Sequence, residues 1–276
     1  MVRIITDSSA DIPNDLLEKY AISVVPLSIN VDDQDYFEGV DLTPESFYQK
    51  MSETEILPKT SQPTPLNFSN VFMDLSKNGE ELLCLTISSG LSGTYQSANL
   101  GKQQANVNVT IFDTLAGSLG HGLQVIKAAE LAERGYSVRE IVGELQDLKE
   151  NMNILILLDT LENVVKGGRL SKFQGSVAKV LNIKVILEGV NGEVEVLEKV
   201  RGSRRFFKRT LEIIGERKQD FSDTVFGITH TGNMKDVEFL KNEIKARYKP
   251  KDIIVNYMGA TMGTYAGKGG TIVSFR

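Results

Sequence analysis

An apolar run from Leu82 to Ile87 opens directly into Ser88-Ser89-Gly90-Leu91-Ser92-Gly93-Thr94, and a helix-like segment continues to Ala105. Strand, glycine loop, helix is the order of an α/β layer, and it recurs through the first half of the chain. Val2–Thr6 reads as a strand, Pro13–Tyr20 as a helix with proline in its first turn, and Ser23–Ile29 as a second strand. Helical patterns follow at Thr43–Met51, Phe68–Lys77, Gly117–Arg134 and Val138–Asn151, with strands at Val109–Asp113 and Ile154–Leu158. Leu57–Leu66 holds three prolines and reads as an extended loop. Strands that recur with helices between them predict a parallel sheet covered on both faces.

The second half has a different pattern. Lys184–Leu187 and Glu193–Val200 flank Gly189-Val190-Asn191-Gly192, and Asn-Gly is a strong hairpin signal. A helix over Ser203–Arg217, a strand over Thr224–Thr229, a helix over Met234–Tyr248 and a strand over Asp252–Tyr257 come next. A glycine-rich loop, Gly259–Gly270, then leads to a last strand, Thr271–Phe275. The expected fold class is α/β and two-lobed: a parallel-sheet α/β/α lobe over about residues 1–155, then a smaller mixed-sheet α+β lobe over about 156–276. The boundary is expected near Asn151–Thr160, without a flexible linker.

Composition narrows the class of function. A chain of 276 residues, 41% apolar and 24% charged, is ordinary for a globular protein. A net charge of −5 argues against a nucleic-acid partner, whose phosphates want a basic face. No apolar run reaches the ~20 residues that span a bilayer, and the first residues enter a strand without a signal-peptide pattern. The single Cys84 lies mid-strand, where it reads as a small hydrophobe. A cytoplasmic protein without stable membrane insertion is expected.

In parallel sheets, ligands gather at the carboxyl ends of the strands. Thr6-Asp7-Ser8-Ser9, Ser88–Thr94 and Asp113-Thr114 all follow first-half strands and should converge on that edge. The serine-glycine loop presents hydroxyls at a helix start, a place that favours an anion. It lacks the lysine of a P-loop, so a carboxylate or one phosphate suits it better than a triphosphate. A serine-rich cap serving its own helix fits the same residues. Asp7 and Asp113 fit an acid/base role, and equally the role of short acids that accept loop N–H groups. Thr60-Ser61-Gln62, held between Pro58 and Pro63, fits a ligand-facing segment or a surface turn. The two histidines, His121 and His230, lack metal-ligand spacing, and G-x-S-x-G is absent. Lys166-Gly167-Gly168-Arg169 and Arg201-Gly202-Ser203-Arg204-Arg205 are basic clusters in an acidic chain, either a solvated face or a guide for an anionic ligand or acidic partner.

Five motifs, in order from one end of the chain to the other, resemble the DegV family. They are T-D-S-S-A-D-I-P at Thr6–Pro13, T-S-Q-P at Thr60–Pro63, S-S-G-L-S-G-T-Y-Q-S-A at Ser88–Ala98, L-E-N-V-V-K-G-G-R at Leu161–Arg169, and G-x-x-x-G-T-x-x-G from Gly259. The resemblance implies a lipid-binding protein, not an enzyme, that buries one long-chain fatty acid such as palmitate and has no other cofactor. It further implies that some members present the acid to a separate ATP-dependent kinase, which makes an acyl phosphate. Carried over by motif position, Thr60 and Ser92 would bond the carboxylate, with Ser61, Gly93 and Thr264 as secondary candidates. Tyr265 stands where many members have histidine, and a phenol donates without a charge at neutral pH. Arg169 and Arg201 would face the partner. At ~0.8 kcal/mol per buried methylene the tail should supply most of the affinity, while the hydroxyls set its direction. The competing readings are a hydrolase or phosphotransferase using Ser92 with Asp7 or His230, and a lipid-sensing regulatory module.

Overall fold

The computed structural model describes residues 2–77, 79–170 and 183–276. Its first parallel sheet is built from β1 (Val2–Asp7), β2 (Ser23–Val25), β6 (Glu81–Thr86) and β7 (Val109–Asp113), in the order β2-β1-β6-β7. Alternation along these strands sorts their side chains onto two faces. Ile4, Leu83, Leu85 and Phe112 pack under α5 (Ser118–Glu133) and α6 (Val138–Glu150). Ile5, Leu82 and Cys84 pack with Phe68, Phe72 and Ala98, from α3 (Pro65–Ser76) and α4 (Thr94–Ala105), on the other face. Burial pushes the Cys84 thiol up, which keeps it protonated. The predicted α/β/α layering is present.

The predicted strand Ser23–Ile29 is in fact two. Pro26 follows β2, and the chain leaves the parallel sheet to form β3 (Ser28–Val31) in a separate antiparallel sheet. That sheet adds β4 (Gln34–Phe37), which the periodicity did not indicate, and β5 (Lys59–Ser61), inside the segment expected to be loop. α1 (Asn14–Lys19) and α2 (Pro44–Glu53) occupy their expected places. Thr43 opens α2 with a capping box to Ser46, and Thr64 does the same for α3 with Asn67, so α3 starts earlier than its apolar pattern suggests.

The second sheet runs β10-β9-β8-β13-β11-β12 and is mixed. Its strands are β8 (Asn153–Leu158), β9 (Ile183–Val190), β10 (Glu193–Arg201), β11 (Val225–His230), β12 (Asp252–Tyr257) and β13 (Thr271–Phe275). The hairpin β9–β10 turns on Asn191 and Gly192, both at positive φ, as the Asn-Gly signal predicts. One face of the sheet packs under α8 (Ser203–Arg217) and α9 (Met234–Tyr248). The other face, with Ile154, Leu158, Leu187 and Ile272, looks toward the first lobe. This six-stranded sheet is wider than the four-stranded parallel one.

Two short helices complete the chain, α7 (Glu162–Lys166) and α10 (Ala260–Ala266). The glycine-rich segment expected as a loop is therefore largely helical. α5 joins the lobes: it packs against β1 on one side and against β11 and β13 on the other, and nearly all its residues are buried.

Candidate functional site

A cavity of about 600 Å³, part of it open to solvent, lies between the inner face of the second sheet and the strand-end loops of the first. Its floor is set by strand periodicity. Ile156 and Leu158 of β8, Leu187 of β9, Val194 of β10 and Ile272 of β13 all project to the same side. Leu27, which follows β2, and Ile87 and Leu91, which follow β6, close it from the first lobe, so it sits at the carboxyl ends of parallel strands. Val164 of α7 and Met262 and Ala266 of α10 complete the apolar wall.

The polar residues of the wall are Thr60, Ser92, Arg169, Thr261 and Tyr265. Four of them form a linked group. The Thr60 and Tyr265 hydroxyls hydrogen-bond each other at 2.5 Å. The Arg169 guanidinium stacks on the Tyr265 ring, 4.7 Å from its centre. Arg169 Nε also donates to Leu91 O at 3.3 Å, which ties it to the loop carrying Ser92, and Ser92 Oγ pairs with Thr94 Oγ1 at 2.8 Å. Gly167 is required here, because a Cβ at that position would collide with the Tyr265 ring. Thr261 belongs to the wall, but its hydroxyl donates to Glu38 Oε2 at 2.6 Å. An apolar space whose wall also carries two hydroxyl segments, a phenol and a guanidinium suits an amphipathic anion.

The secondary candidates lie differently. Ser61 alternates with Thr60 along β5 and is exposed, as is Gly93, which packs on Gln62. The Thr264 hydroxyl donates to Ala260 O within its own helix. None of the three lines the cavity among the described residues. Arg169, expected to face a partner, is a wall residue, whereas Arg201 ends β10 on an exposed edge. Arg169 is half-buried and brings a cation beside Tyr265 in the wall. The signal was the arginine closing K-G-G-R, a basic cluster that fits a solvated face, an anionic ligand or an acidic partner.

The serine loop is divided in its roles. Ser88 Oγ donates to Gly192 O at 2.6 Å, so it docks the hairpin turn onto the first lobe. Thr94 N–H donates to Ser92 Oγ at 3.3 Å, and the Leu91 and Ser92 N–H groups close a turn on Ser88 O. Asp7 accepts from the N–H groups of Ser9 and Ile87, and Asp113 from those of Ser89 and Leu115. Both acids tie down loops. His230 Nδ1 accepts from Gly232 N–H at 3.0 Å, and burial lowers the pKa of the ring. Among the described residues, Ser92, Asp7 and His230 share no hydrogen bond with one another. Among the described residues no group of His, Cys, Asp and Glu could hold a metal ion, and no helix is long and apolar enough to cross a membrane.

Comparison with known proteins follows the same lines. Residues 1–276 match the profile of a family described as "Uncharacterised protein, DegV family". A DegV domain-containing protein of Caldanaerobacter subterraneus is 35% identical over 96% of this chain and 95% of its own. A DegV family protein of Thermus thermophilus, described by its fatty acid binding, superposes with a TM-score of 0.92 at 32% identity, covering 99% of this chain and 98% of its own. A Thermotoga maritima protein described as revealing fatty acid binding function gives 0.90 at 30% identity, covering 100% and 98%.

Proposed function

This chain belongs to the DegV family, and from that premise we propose that it binds one long-chain fatty acid in the cavity between its lobes, as a carrier and not as an enzyme. The observation that carries the reading is the composition of the wall: apolar except for Thr261, whose hydroxyl is taken by Glu38, and the linked group of Thr60, Ser92, Arg169 and Tyr265. The alkyl chain lies on the inner face of the second sheet, and the carboxylate meets the hydroxyls. Arg169 supplies the charge that Tyr265, standing in place of the family histidine, does not.

Thr60→Ala, Ser92→Ala and Tyr265→Phe are each expected to weaken binding of a C16 acid about fivefold to tenfold, the worth of one hydrogen bond to a carboxylate. Binding of the matched alcohol should change less than twofold, and thermal melting should stay within about 2 °C. Displacement of a fluorescent fatty acid measures both ligands. Unchanged acid affinity in all three variants removes the head-group assignment, and native mass spectrometry of freshly purified protein checks for a co-purifying acid directly.

A partner reading rests on a separate observation. Arg201, Arg204 and Arg205 crowd the N-terminus of α8, the positive end of its dipole, and among the described residues no carboxylate pairs with them. Like charge there is unfavourable by roughly 0.3–1 kcal/mol each, a cost that an acidic partner would reverse. The partner proposed is an ATP-dependent kinase that transfers a phosphoryl group to the presented carboxylate, in the cytoplasm. Arg201→Ala should keep fatty-acid affinity and lower acyl-phosphate formation with such a kinase by fivefold or more. Equal rates for variant and wild type would remove Arg201 from the interface.

A further inference from the structure

Helix α10 carries Thr261, Met262, Tyr265 and Ala266 into the cavity wall, yet it has no cap of its own. Its N-cap is Gly259, and the first-turn donors are met by two carboxylates from the far end of the chain. Gly259 N–H donates to Asp11 Oδ1 at 2.8 Å, and Thr261 N–H donates to Glu38 Oε1 at 2.7 Å. The Thr261 hydroxyl adds a bond to Glu38 Oε2. Glycine is needed at 259, since a Cβ would stand 2.5 Å from Glu38 Oε1 and 2.8 Å from Asp11 Oδ1. The helix is clamped further by Tyr48 of α2, whose hydroxyl donates to Met258 O at 3.0 Å.

Both acids are 6% exposed, and among the described residues no lysine or arginine lines the cleft beside them. Burial pushes both pKa values up, and for Asp11 the neighbouring Glu38 adds to the effect; hydrogen bonds from Ser118 and Gly259, and from Ser8 and Thr261, pull in the opposite direction. Two buried carboxylates with no lysine or arginine among the described residues of their cleft are expensive. What the acids add is geometry. Glu38 also accepts from Ser8 Oγ, which in turn accepts from Leu27 N–H, and Leu27 and Thr261 are both cavity-wall residues. Asp11 is fixed through Ser118 of α5, which bonds Thr229 of β11. One network therefore holds α10 against both lobes at once.

We propose that Glu38, seconded by Asp11, is a positioning residue for carboxylate recognition: it fixes the start of α10 so that Tyr265, one helical turn further on, meets Thr60 and Arg169. The inference rests on the head-group reading given above and deepens it. Fixing a donor in place before the ligand arrives lowers the ordering cost of binding, which is felt by the ligand end that the donor meets.

The test is a double-mutant cycle on the ratio of acid to alcohol affinity. Glu38→Gln, a neutral isostere, should lower the affinity for a C16 acid about tenfold and leave the C16 alcohol within about threefold. In a Tyr265→Phe background the same change should leave the ratio unaltered, because the group it positions is gone. Thr261→Val, which removes one donor to Glu38, should act in the same direction and more weakly. Equal losses for acid and alcohol, or losses that add to those of Tyr265→Phe, would overturn the positioning role. A wild-type protein whose acid preference survives Tyr265→Phe undiminished would fail the head-group reading itself and bring the inference down with it. A preference that depends on Tyr265 but ignores Glu38→Gln defeats the inference alone.

Discussion

Arg169→Ala is expected to lower the affinity for a long-chain fatty acid by about 10- to 100-fold, the equivalent of roughly 1.5–3 kcal/mol for a charge-assisted contact. The guanidinium lies over the Tyr265 ring and donates to Leu91 O and Gly167 O, so it is held in place before any ligand arrives. It is half-buried, and solvent screening favours the lower part of that range. A fatty alcohol should lose about threefold at most, through packing against the freed Tyr265 ring. Arg169→Lys should recover only part of the acid affinity, because an ammonium neither stacks on the phenol nor spans two carbonyls while facing a ligand. Parallel titrations of acid and alcohol against the three proteins decide it. Equal losses for both ligands would assign Arg169 to packing alone.

The largest expected effect on stability comes from α5, which both sheets share. A Cβ on Gly122 would stand 2.5 Å from Ala10 O and 3.0 Å from Ile12, both in the segment that follows β1. Backbone cannot step aside as the end of a side chain can. Gly122→Val should cost about 3 kcal/mol by overpacking and lower the melting temperature by roughly 6–12 °C. Gly143 of α6 is the control: it is exposed, helical and has open space where a Cβ would go. Gly143→Ala should raise stability by about 0.5–1 kcal/mol, from helix propensity alone. Differential scanning calorimetry of both variants tests the contrast. A Gly122→Val protein that melts with the wild type would mean that α5 packs on the segment after β1 with more slack than these contacts allow.

The elements most legible in the sequence are those fixed by local chemistry. The parallel strands announce themselves by continuous apolar runs, α6 by its helical period, and the β9–β10 hairpin by Asn191-Gly192. Thr60 and Ser92 line the cavity, and the acids Asp7 and Asp113 serve loops, one of the two readings their positions allowed. Ser23–Ile29 read as one strand because its apolar pattern runs through Pro26; only the packed structure reveals that the two halves pair in different sheets.

The chain's own letters determined the alternation of strands and helices, the two-lobed class and the family motifs, because periodicity, caps and turn residues act within a few positions of each other. Tertiary structure decided which of the motif residues share one cavity. α10 is the sharpest case: Gly259–Gly270 has glycines at the positions where a helix would need formers, and its first turn is completed by Asp11 and Glu38, more than two hundred residues away. Arg169 is the other: its sequence neighbours mark it as basic, and the stacked Tyr265 ring from a distant segment determines which way that charge faces. Bonds of such sequence separation have no local signature, since only the tertiary fold brings their donors and acceptors together.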